Sequence, residues 1–393
     1  MRFPEFTDEW VQYRFGDLFS IGSSKRVYES QWRSEGVPFY RTREIISLIN
    51  GTKFSSPIYI EENLFNELIN KYGHIETGDL LVTGVGSLGH IYVVEETDKF
   101  YIKDGNVIWF KRADTVDSHF FKYLFKSKLV QSQIFNNASI TTVGTYTIEN
   151  AKKTKAFFPS KDEQVRIAHC LTLIDERLAT QSKIIDKLQS LMSGIVVSHF
   201  NSCNTKSTIS IKDLGEAYSV GNLSKDDLSE EGKPCILYGE LFTTYGCVAC
   251  EAQNRTNKYA QATLSRAGDL LFPASTTVDA ISLIAPTSLQ TDGVYVAGDM
   301  FGIHISPQYK SEYISYLLNY VYNRKLSKYA QGSTIIHLHY ADVKNATIQV
   351  PCLEEQNKCA RLLEALQTKL DIAKQLIDCY QTQKSYLLQR MFI

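Results

Sequence analysis

Pro159-Ser160-Lys161-Asp162-Glu163-Gln164 opens a stretch that runs to Phe200 without another proline and with a single glycine, Gly194. Apolar residues recur along it at alternating steps of four and three, and Gln181 is the one polar member of the series. A repeat of about 3.5 residues keeps one stripe of a helix facing a partner, so the stretch predicts a long helix of the coiled-coil kind. The stripe consists of Ile167, Leu171, Ile174, Leu178, Ile185, Leu188, Met192 and Ile195.

The same pattern returns 192 residues further along, where Pro351 and Glu355-Gln356 repeat Pro159 and Glu163-Gln164. Each helix would be about 60 Å long at about 1.5 Å per residue. The chain is therefore an internal repeat. The second stripe consists of Cys359, Leu363, Leu366, Leu370, Ala373, Ile377, Tyr380, Lys384 and Leu387.

The sequence between the helices is duplicated as well. Gly78-Asp79-Leu80-Leu81 recurs letter for letter as Gly268-Asp269-Leu270-Leu271. We predict an α+β fold in which two tandem globular domains are each followed by a long helix. The helices would pair as an antiparallel coiled coil about a pseudo-two-fold axis and act as a ruler between the domains. The predicted boundaries are 1–158 for the first domain, 159–200 for its helix, 201–350 for the second domain and 351–393 for its helix.

Within the first domain, short apolar runs bounded by Gly, Asp or Asn predict the strands, and longer runs predict two helices. The strands are expected over 38–41, 79–83, 90–94 and 106–110, and the helices over 61–71 and 118–135.

Composition limits the possible functions. The 393 residues carry a net charge of −1, so any nucleic-acid surface must be a local basic patch. No apolar run is long enough to span a membrane, and the N-terminal residues lack the apolar core of a signal peptide. The eight cysteines follow no disulfide framework. We therefore expect a cytoplasmic protein that does not contact membranes.

Motifs for catalysis and metal binding are weak or missing. There is no P-loop, and Gly84-Val85-Gly86-Ser87-Leu88-Gly89 is followed by a strand-like run, so a tight hairpin is favoured over a dinucleotide loop. Cys247 and Cys250 form a lone C-x-x-C without the two further ligands of a zinc site. For His337 and His339, a polar contact is favoured over metal ligation. We expect no catalytic residue and no metal in this chain.

One group of residues indicates nucleic acid. Basic and hydroxyl side chains collect on predicted loops and strand ends of the first domain, where arginine can reach guanine acceptors and lysine, serine and threonine can hold phosphates. Thr141-Thr142 has a counterpart, Ser333-Thr334, in the second domain. The candidates in the first domain are Lys25, Arg26, Tyr40, Arg41, Arg43, Thr141 and Thr142.

Across its full length the chain resembles the DNA specificity (S) subunits of type I restriction–modification systems. The residues that carry the resemblance are the N-terminal Phe6-Thr7-Asp8-Glu9-Trp10, the doubled Gly-Asp-Leu-Leu, and the doubled Pro-x-x-x-Glu-Gln before each long helix. The resemblance implies that each globular domain is a target recognition domain for one half of a split DNA site. It also implies that the helices dock two modification (methyltransferase) subunits.

The resemblance adds further DNA-binding candidates and the partners of the complex. It implies no cofactor in this chain, S-adenosylmethionine in the methyltransferase, and ATP and Mg²⁺ in up to two restriction (motor-nuclease) subunits. In the second domain Leu237-Tyr238-Gly239 stands where the first domain has Arg41-Thr42-Arg43, so the second domain has fewer basic residues there to bind phosphate. The added candidates are Gly86, Ser87, Tyr238, Ser275, Thr276, Thr277, Ser333, Thr334, His337 and His339.

Two other classes of function remain open at this point. One is a self-contained DNA methyltransferase or nuclease with an unusual active site. The other is a pure assembly scaffold that never touches DNA.

Overall fold

The first half of the chain consists of a globular part, whose short elements surround a phenylalanine-rich core, and the long helix that follows it. The structure, a computed structural model, describes residues 2–95, 99–137 and 144–392. The elements of the first half are β1 (Val11–Arg14), α1 (Phe15–Leu18), β2 (Ile21–Gly22), β3 (Val37–Tyr40), α2 (Thr42–Asn50), β4 (Ile58–Ile60), α3 (Glu62–Tyr72), β5 (Leu80–Thr83), β6 (Ile91–Val93), β7 (Tyr101–Ile102), β8 (Val107–Phe110), α4 (Ser118–Phe125), α5 (Lys128–Asn137), α6 (Ile148–Lys153), β9 (Lys155–Phe158) and α7 (Lys161–Ser202).

The second half repeats this plan with larger sheets. Its elements are β10 (Lys206–Ser210), β11 (Gly215–Ser219), β12 (Leu228–Ser229), β13 (Lys233–Leu237), β14 (Val248–Ala249), β15 (Asn254–Thr256), β16 (Thr263–Leu264), β17 (Asp269–Pro273), β18 (Ser275–Thr276), α8 (Ala280–Leu283), β19 (Thr287–Leu289), β20 (Tyr295–Ala297), β21 (Met300–Ile305), α9 (Ser311–Leu317), α10 (Asn323–Leu326), β22 (Ile336–His337), α11 (Tyr340–Val343), β23 (Thr347–Pro351) and α12 (Leu353–Met391).

The chain folds as two units, and the boundary between them cuts both long helices. Unit 1 comprises Met1–Gln181 and Leu376–Ile393, and unit 2 comprises Ser182–Gln375. Each unit therefore holds one globular part, one half of α7 and one half of α12. The boundaries predicted from the sequence, 159–200 and 351–393, instead treated each long helix as one undivided segment. None of the described helices combines the length and apolarity needed to cross a membrane.

The strand pairing is equivalent in the two units. In unit 1, β2, β8, β5 and β6 form one sheet and β4, β3 and β7 another. In unit 2, the sheets run β11-β21-β17-β19-β14 and β12-β15-β13-β20-β16. The central strand β3 pairs antiparallel with β4 and parallel with β7, and β13 pairs in the same way with β15 and β20. Each unit also pairs its first strand with the strand before its long helix, β1 with β9 and β10 with β23.

The repeated Gly-Asp-Leu-Leu motif is a turn closed by a buried aspartate. Gly78 and Gly268 adopt φ of +91° and +88°, a conformation that glycine takes without steric cost. Asp79 accepts hydrogen bonds from the backbone N–H groups of Glu76 and Arg112 and from Trp109 Nε1. In unit 2, the carboxylate of the buried Asp269 instead contacts the Arg266 N–H, Tyr218 OH and His304 Nδ1.

The repeated Pro-x-x-x-Glu-Gln motif joins each long helix to its globular part through a buried glutamine. Gln164 Nε2 donates to the carbonyl of Pro159 at 3.0 Å, and Gln164 Oε1 accepts from the Asp117 N–H at 2.9 Å. Gln356 makes the same two bonds, to Pro351 at 2.9 Å and from Lys310 at 2.9 Å. The motif therefore ties the first turn of each long helix to the strand before it and to the residue that precedes α4 or α9.

Within each unit, the halves of α7 and α12 run antiparallel. In unit 1, Lys384 Nζ donates to Asp175 and Arg177 lies over the ring of Tyr380, so numbering rises along one helix as it falls along the other. In unit 2, His199 contacts Glu355 while Met192 lines a cavity with Gln367 and Leu370.

The predicted helix stripes lie in the cores of the units. In unit 1, Ile167, Leu171, Ile174 and Leu387 are buried, and Leu178, Ile377 and Tyr380 are half-buried. In unit 2, Met192, Leu363, Leu370 and Ala373 are buried, and Ile185, Leu188, Ile195 and Leu366 are half-buried.

The predicted strands and the helix over 61–71 are found as β3, β5, β6, β8 and α3. The prediction of a single helix over 118–135 was wrong in one respect, because this stretch forms two helices, α4 and α5. The helix is interrupted at Lys126 and Ser127. Ser127 Oγ accepts a hydrogen bond from the Val130 N–H at 3.4 Å. A serine at this place satisfies an amide that a continuous helix would have paired internally.

Candidate nucleic-acid interface

In unit 1 the chain leaves β3 through a corner closed by Glu44. This side chain is only 2% exposed, and its Oε2 accepts the backbone N–H of Arg41 at 3.0 Å at the start of α2. Its Oε1 accepts Arg41 Nη2 at 2.7 Å and Arg43 Nε at 2.6 Å. Burial alone would raise the pKa of Glu44, but the hydrogen bonds from the two arginines outweigh burial, so the pKa is lowered. Glu44 is therefore a carboxylate that holds two guanidinium groups in place.

The two arginines differ in exposure. The side chain of Arg41 is 18% exposed and lies over the ring of Trp32, 5.9 Å from its centre. The side chain of Arg43 is 49% exposed, so its guanidinium retains donors that face solvent. Tyr40, just before them, is half-buried and stacks on Phe100 at 4.8 Å. Arg43 Nη2 also donates to the carbonyl of Ser56 at 2.5 Å, so Arg43 is more exposed than Arg41 but is held by two acceptors.

Two residues that the sequence did not indicate complete this corner. Lys103 also lies over the ring of Trp32, with its Nζ 5.5 Å from the ring centre. Trp32 Nε1 and Thr42 Oγ1 are buried and have no hydrogen-bond partner among the described residues. Leaving such groups unpaired costs about 1–3 kcal/mol each, so a water or a ligand atom is expected to pair with them. Trp32 is one of only three tryptophans in the chain, and that rarity was the signal available.

Lys25 and Arg26 lie on a loop that is fastened to the turn after β7. Ser23 Oγ and Ser24 Oγ donate to the carbonyls of Val107 and Ile102, which fixes the loop backbone. Arg26 Nε donates to Asp104 Oδ2 at 3.0 Å, and Lys25 lies over the ring of Tyr72. Both basic side chains are exposed. The loop therefore presents them on a rigid support beside the turn that carries Lys103.

Gly86 and Ser87 lie at an exposed hairpin tip between β5 and β6. These strands pair antiparallel, and no helix follows the glycines, so the hairpin interpretation of this motif is confirmed. Gly86 adopts φ of +80°. Thr141 and Thr142, the other candidates of this unit, lie outside the described residues.

In unit 2 the candidates collect around the short pair of strands β18 and β22. Ser275 pairs with His337 and Thr276 with Ile336. The rings of His337 and His339 are parallel and 6.0 Å apart, and His337 Nδ1 lies 3.8 Å from Asp299 Oδ2. Ser275 is buried, whereas Thr277, Ser333, Thr334 and His339 are exposed. Asp299 is a polar member of this group that the sequence did not indicate.

Tyr238 belongs to the corner that matches Arg41–Glu44. Its N–H donates to the carbonyl of Ala297 at 3.2 Å, and its side chain is 37% exposed. Glu240 closes this corner as Glu44 does, because Glu240 Oε2 accepts the N–H of Leu237 at 2.7 Å. Its other oxygen accepts from Asn254 Nδ2 at 2.5 Å and not from an arginine.

The backbone behind both sets of candidates is the same. In unit 1 the Gly84 N–H donates to Asn106 O, and the Tyr146 N–H donates to Gly84 O. In unit 2 the Ala274 N–H donates to Asp299 O, and the Leu338 N–H donates to Ala274 O. Gly84 and Ala274 thus occupy equivalent positions on one scaffold, next to Gly86 and Ser87 in unit 1 and to Ser275 and Thr276 in unit 2.

Two copies of one α+β scaffold, each with a differing polar edge and each followed by a long helix, define a duplicated recognition protein. The sequence model of the type I restriction modification DNA specificity domain matches residues 7–190 and again residues 204–379. The chain belongs to this family and carries its domain twice, as the sequence resemblance had predicted.

Known relatives agree with this assignment. A Haemophilus influenzae protein assigned as a type I restriction enzyme specificity subunit is 28% identical over 182 residues. That match spans 46% of this chain and 40% of the length of the relative. Two solved structures share the fold of this chain at 17% and 15% sequence identity.

The crystal structure of the type I restriction-modification system S subunit from M. genitalium superposes with a TM-score of 0.63 at 17% identity. The superposition covers 99% of this chain and 97% of that one. A chain from a structure concerned with complex assembly and conformational transition of the type I R-M system gives a TM-score of 0.55 at 15% identity, over 98% and 97%.

Proposed function

We propose that this chain is the DNA-recognition subunit of a type I restriction–modification complex and that it reads a bipartite duplex target, one half-site per unit. It carries out no chemistry itself. The observation that supports this most directly is the contrast between a repeated scaffold and a changed edge. Asp79 and Asp269, and Gln164 and Gln356, fill the same structural roles, whereas Arg41-Thr42-Arg43 is replaced by Leu237-Tyr238-Gly239.

The edge of unit 1 has the chemistry of a guanine and phosphate reader. Arg43 is held by Glu44 yet half exposed, which limits the conformational freedom it would lose on binding. A guanidinium can donate to the O6 and N7 acceptors of guanine in the major groove, and Lys25, Arg26 and Lys103 supply positive charge for phosphates.

The edge of unit 2 has hydrogen-bonding groups in place of fixed cations. Thr277, Thr334, Tyr238 and His339 are exposed or nearly so, and each can donate to and accept from base edges. We infer that this half-site is read with fewer direct ionic contacts than the other. The two units therefore recognise different bases.

The long helices supply the spacing and the partner contacts in this proposal. They hold the two readers and dock two methyltransferase subunits, which carry S-adenosylmethionine. Where motor-nuclease subunits join, those subunits use ATP and Mg²⁺. None of these cofactors belongs to this chain.

Selection from a random duplex library tests the proposal. The chain, purified with its methyltransferase partner, should enrich two short half-sites separated by a spacer of fixed length and free sequence. Enrichment of one uninterrupted site would contradict the assignment of one half-site to each unit. No enrichment at all would favour the scaffold hypothesis.

A second measurement separates recognition from catalysis. The chain alone, incubated with plasmid, S-adenosylmethionine and Mg²⁺, should neither methylate nor cut the DNA. Activity under these conditions would make the chain an enzyme. The same plasmid incubated with the methyltransferase complex serves as the positive control.

A further inference from the structure

Three different metal-ligand atoms come together at one end of the helix pair in unit 2. His199 lies in the last turn of α7, Cys203 directly follows that helix, and Glu355 lies in the first turn of α12. His199 Nε2 is 3.3 Å from Glu355 Oε2 and 3.8 Å from Cys203 Sγ. All three ligand atoms lie within 4.8 Å of one another, and this is the one such group among the described residues.

These separations resemble the edges of a tetrahedral zinc site. With Zn–N and Zn–O bonds of about 2.1 Å and a Zn–S bond of about 2.3 Å, tetrahedral angles place N and O about 3.4 Å apart and N and S about 3.6 Å apart. The two contacts of His199 differ from these values by a few tenths of an ångström. Cys203 Sγ and the Glu355 carboxylate lie within 4.8 Å of each other, so binding an ion would require these two groups to approach.

Neighbouring groups hold the unused atom of two of the ligands. His199 Nδ1 lies 3.4 Å from Tyr313 OH, which leaves Nε2 for a ligand. Glu355 Oε1 accepts Lys358 Nζ at 2.8 Å, which leaves Oε2 for a ligand. Such outer contacts orient ligands in known metal sites. The side chains of His199 and Glu355 are 18% and 33% exposed, so an ion can enter from solvent.

The matching place in unit 1 is occupied by a cation of the chain itself. Glu163, the counterpart of Glu355, is fully buried and accepts Arg2 Nε and Nη2 at 2.7 Å each. Trp10 Nε1 donates to the same carboxylate at 3.3 Å. In both units the partner comes from the segment before the first strand. Unit 2 has a histidine and a cysteine there, where unit 1 has a guanidinium.

We propose that His199, Cys203 and Glu355 bind one Zn²⁺ ion, with water in the fourth position, and that this ion fastens the end of α7 to the start of α12. A thiolate, an imidazole and a carboxylate together favour Zn²⁺ over Mg²⁺ or Ca²⁺, which prefer oxygen ligands. The ion would lie on the Oε2 side of Glu355, whose Oε1 is paired with Lys358, whereas both oxygens of Glu163 bind Arg2 in unit 1. The sequence pattern did not indicate this site, and no metal was expected, because Glu355 is far from the two other ligands along the chain.

Metal titration of the full chain tests this proposal without DNA, so its outcome is independent of the proposed function. The chain is stripped with a chelator, dialysed and titrated with Co²⁺ and then Zn²⁺. We expect one Co²⁺ per chain, with the visible bands of tetrahedral Co²⁺ and a thiolate-to-metal charge-transfer band, both removed by Zn²⁺. The absence of the charge-transfer band, or equal competition by Mg²⁺, would overturn the proposal.

Single substitutions locate the site. Cys203→Ser, His199→Gln and Glu355→Gln should each weaken binding by more than about tenfold, the loss that removing a residue merely hydrogen-bonded to a metal ligand can cause. Cys379→Ser, which changes an exposed cysteine on α12 in unit 1, is the matched control and should bind like the wild type. Circular dichroism of the metal-free variants checks that they are folded. Unchanged affinity in folded Cys203→Ser protein would sink the assignment.

Discussion

Glu44 and Glu240 occupy the same corner of the two units, yet only one of them holds arginines. Both accept the N–H of the residue three positions before them, so both close the turn that follows the central strand. Glu44 also binds Arg41 and Arg43, whereas Glu240 binds Asn254. The turn is a requirement of the scaffold, and the partner of the carboxylate is free to vary. A duplicated domain can therefore change what it recognises without changing how it folds.

The largest effect is expected where the units are alike. Asp79→Ala leaves two backbone N–H groups and Trp109 Nε1 without an acceptor, and Asp269→Ala does the same to the groups around it. At about 1–3 kcal/mol for each unsatisfied buried group, each variant should lose about 3 kcal/mol or more of stability. Urea unfolding measured by circular dichroism should show similar losses for both.

Tryptophan fluorescence shows which unit is affected. All three tryptophans, Trp10, Trp32 and Trp109, lie in unit 1, so their emission follows the unfolding of that unit. Asp79→Ala should move the fluorescence transition to lower urea. Asp114→Ala and Asp226→Ala, which remove exposed carboxylates, are the controls. A loss confined to one of the two buried aspartates would show that the repeated motif is not equivalent in the two units.

A smaller effect is expected where the units differ. Arg43→Ala should weaken binding to the complete target by about 1–3 kcal/mol if Arg43 makes a bidentate base contact, and it should relax one base of one half-site. The other half-site should keep its sequence. Affinity measured on duplexes with single base changes checks both statements.

Arg33→Ala is the matched control for Arg43→Ala. Arg33 is 42% exposed and paired to a glutamate, Glu61, but it precedes β3 whereas Arg43 follows it. It should bind the target like the wild type. Equal losses in the two variants would mean that general positive charge, and not a contact at the Glu44 corner, carries the effect.

The smallest effect concerns pH. The pKa of Glu44 is lowered in the folded chain because the hydrogen bonds from Arg41 and Arg43 outweigh burial. Its contribution to stability is therefore present above the ordinary glutamate pKa of about 4.3 and is lost as the pH falls through the lower folded value. The stability difference between wild type and Glu44→Gln should shrink as the pH is lowered from about 6 to about 3.

Urea unfolding followed by tryptophan fluorescence measures this difference at each pH. Glu35→Gln, which changes an exposed glutamate of the same unit, should show no such trend relative to the wild type. A difference for Glu44→Gln that stays constant down to the lowest pH would mean that the ionised carboxylate does not stabilise the corner.

Local patterns predicted the repeated elements well. The apolar stripe of α7, its copy in α12 and the doubled Gly-Asp-Leu-Leu all depend on residues close together in sequence, and periodicity records such relations directly. The break between α4 and α5 was missed because no proline or glycine marks it in the sequence. A single side chain, Ser127, pairs an amide there.

Sequence patterns named the candidate interface by region, and the role of its residues in DNA binding stays a prediction. Arg41 and Arg43 were both predicted to contact DNA. In the structure Arg41 lies over the ring of Trp32, whereas Arg43 is about half exposed to solvent. Lys103 and Trp32 were missed because β3 and β7 become neighbours only when the sheet forms. Exposure and partners of a side chain depend on residues far away in sequence, which a single sequence does not reveal.

The sequence alone determined that the chain is a duplicated domain with two long helices, because helical periodicity and repeated motifs are local. Only the tertiary structure decided what the two copies of one motif do. Glu163 and Glu355 are the same residue at the same step of the repeat, but Glu163 contacts the guanidinium of Arg2, whereas Glu355 contacts the imidazole of His199 and the neighbouring Lys358. Arg2 and His199 lie far from these glutamates in sequence, so folding decides which group each carboxylate meets.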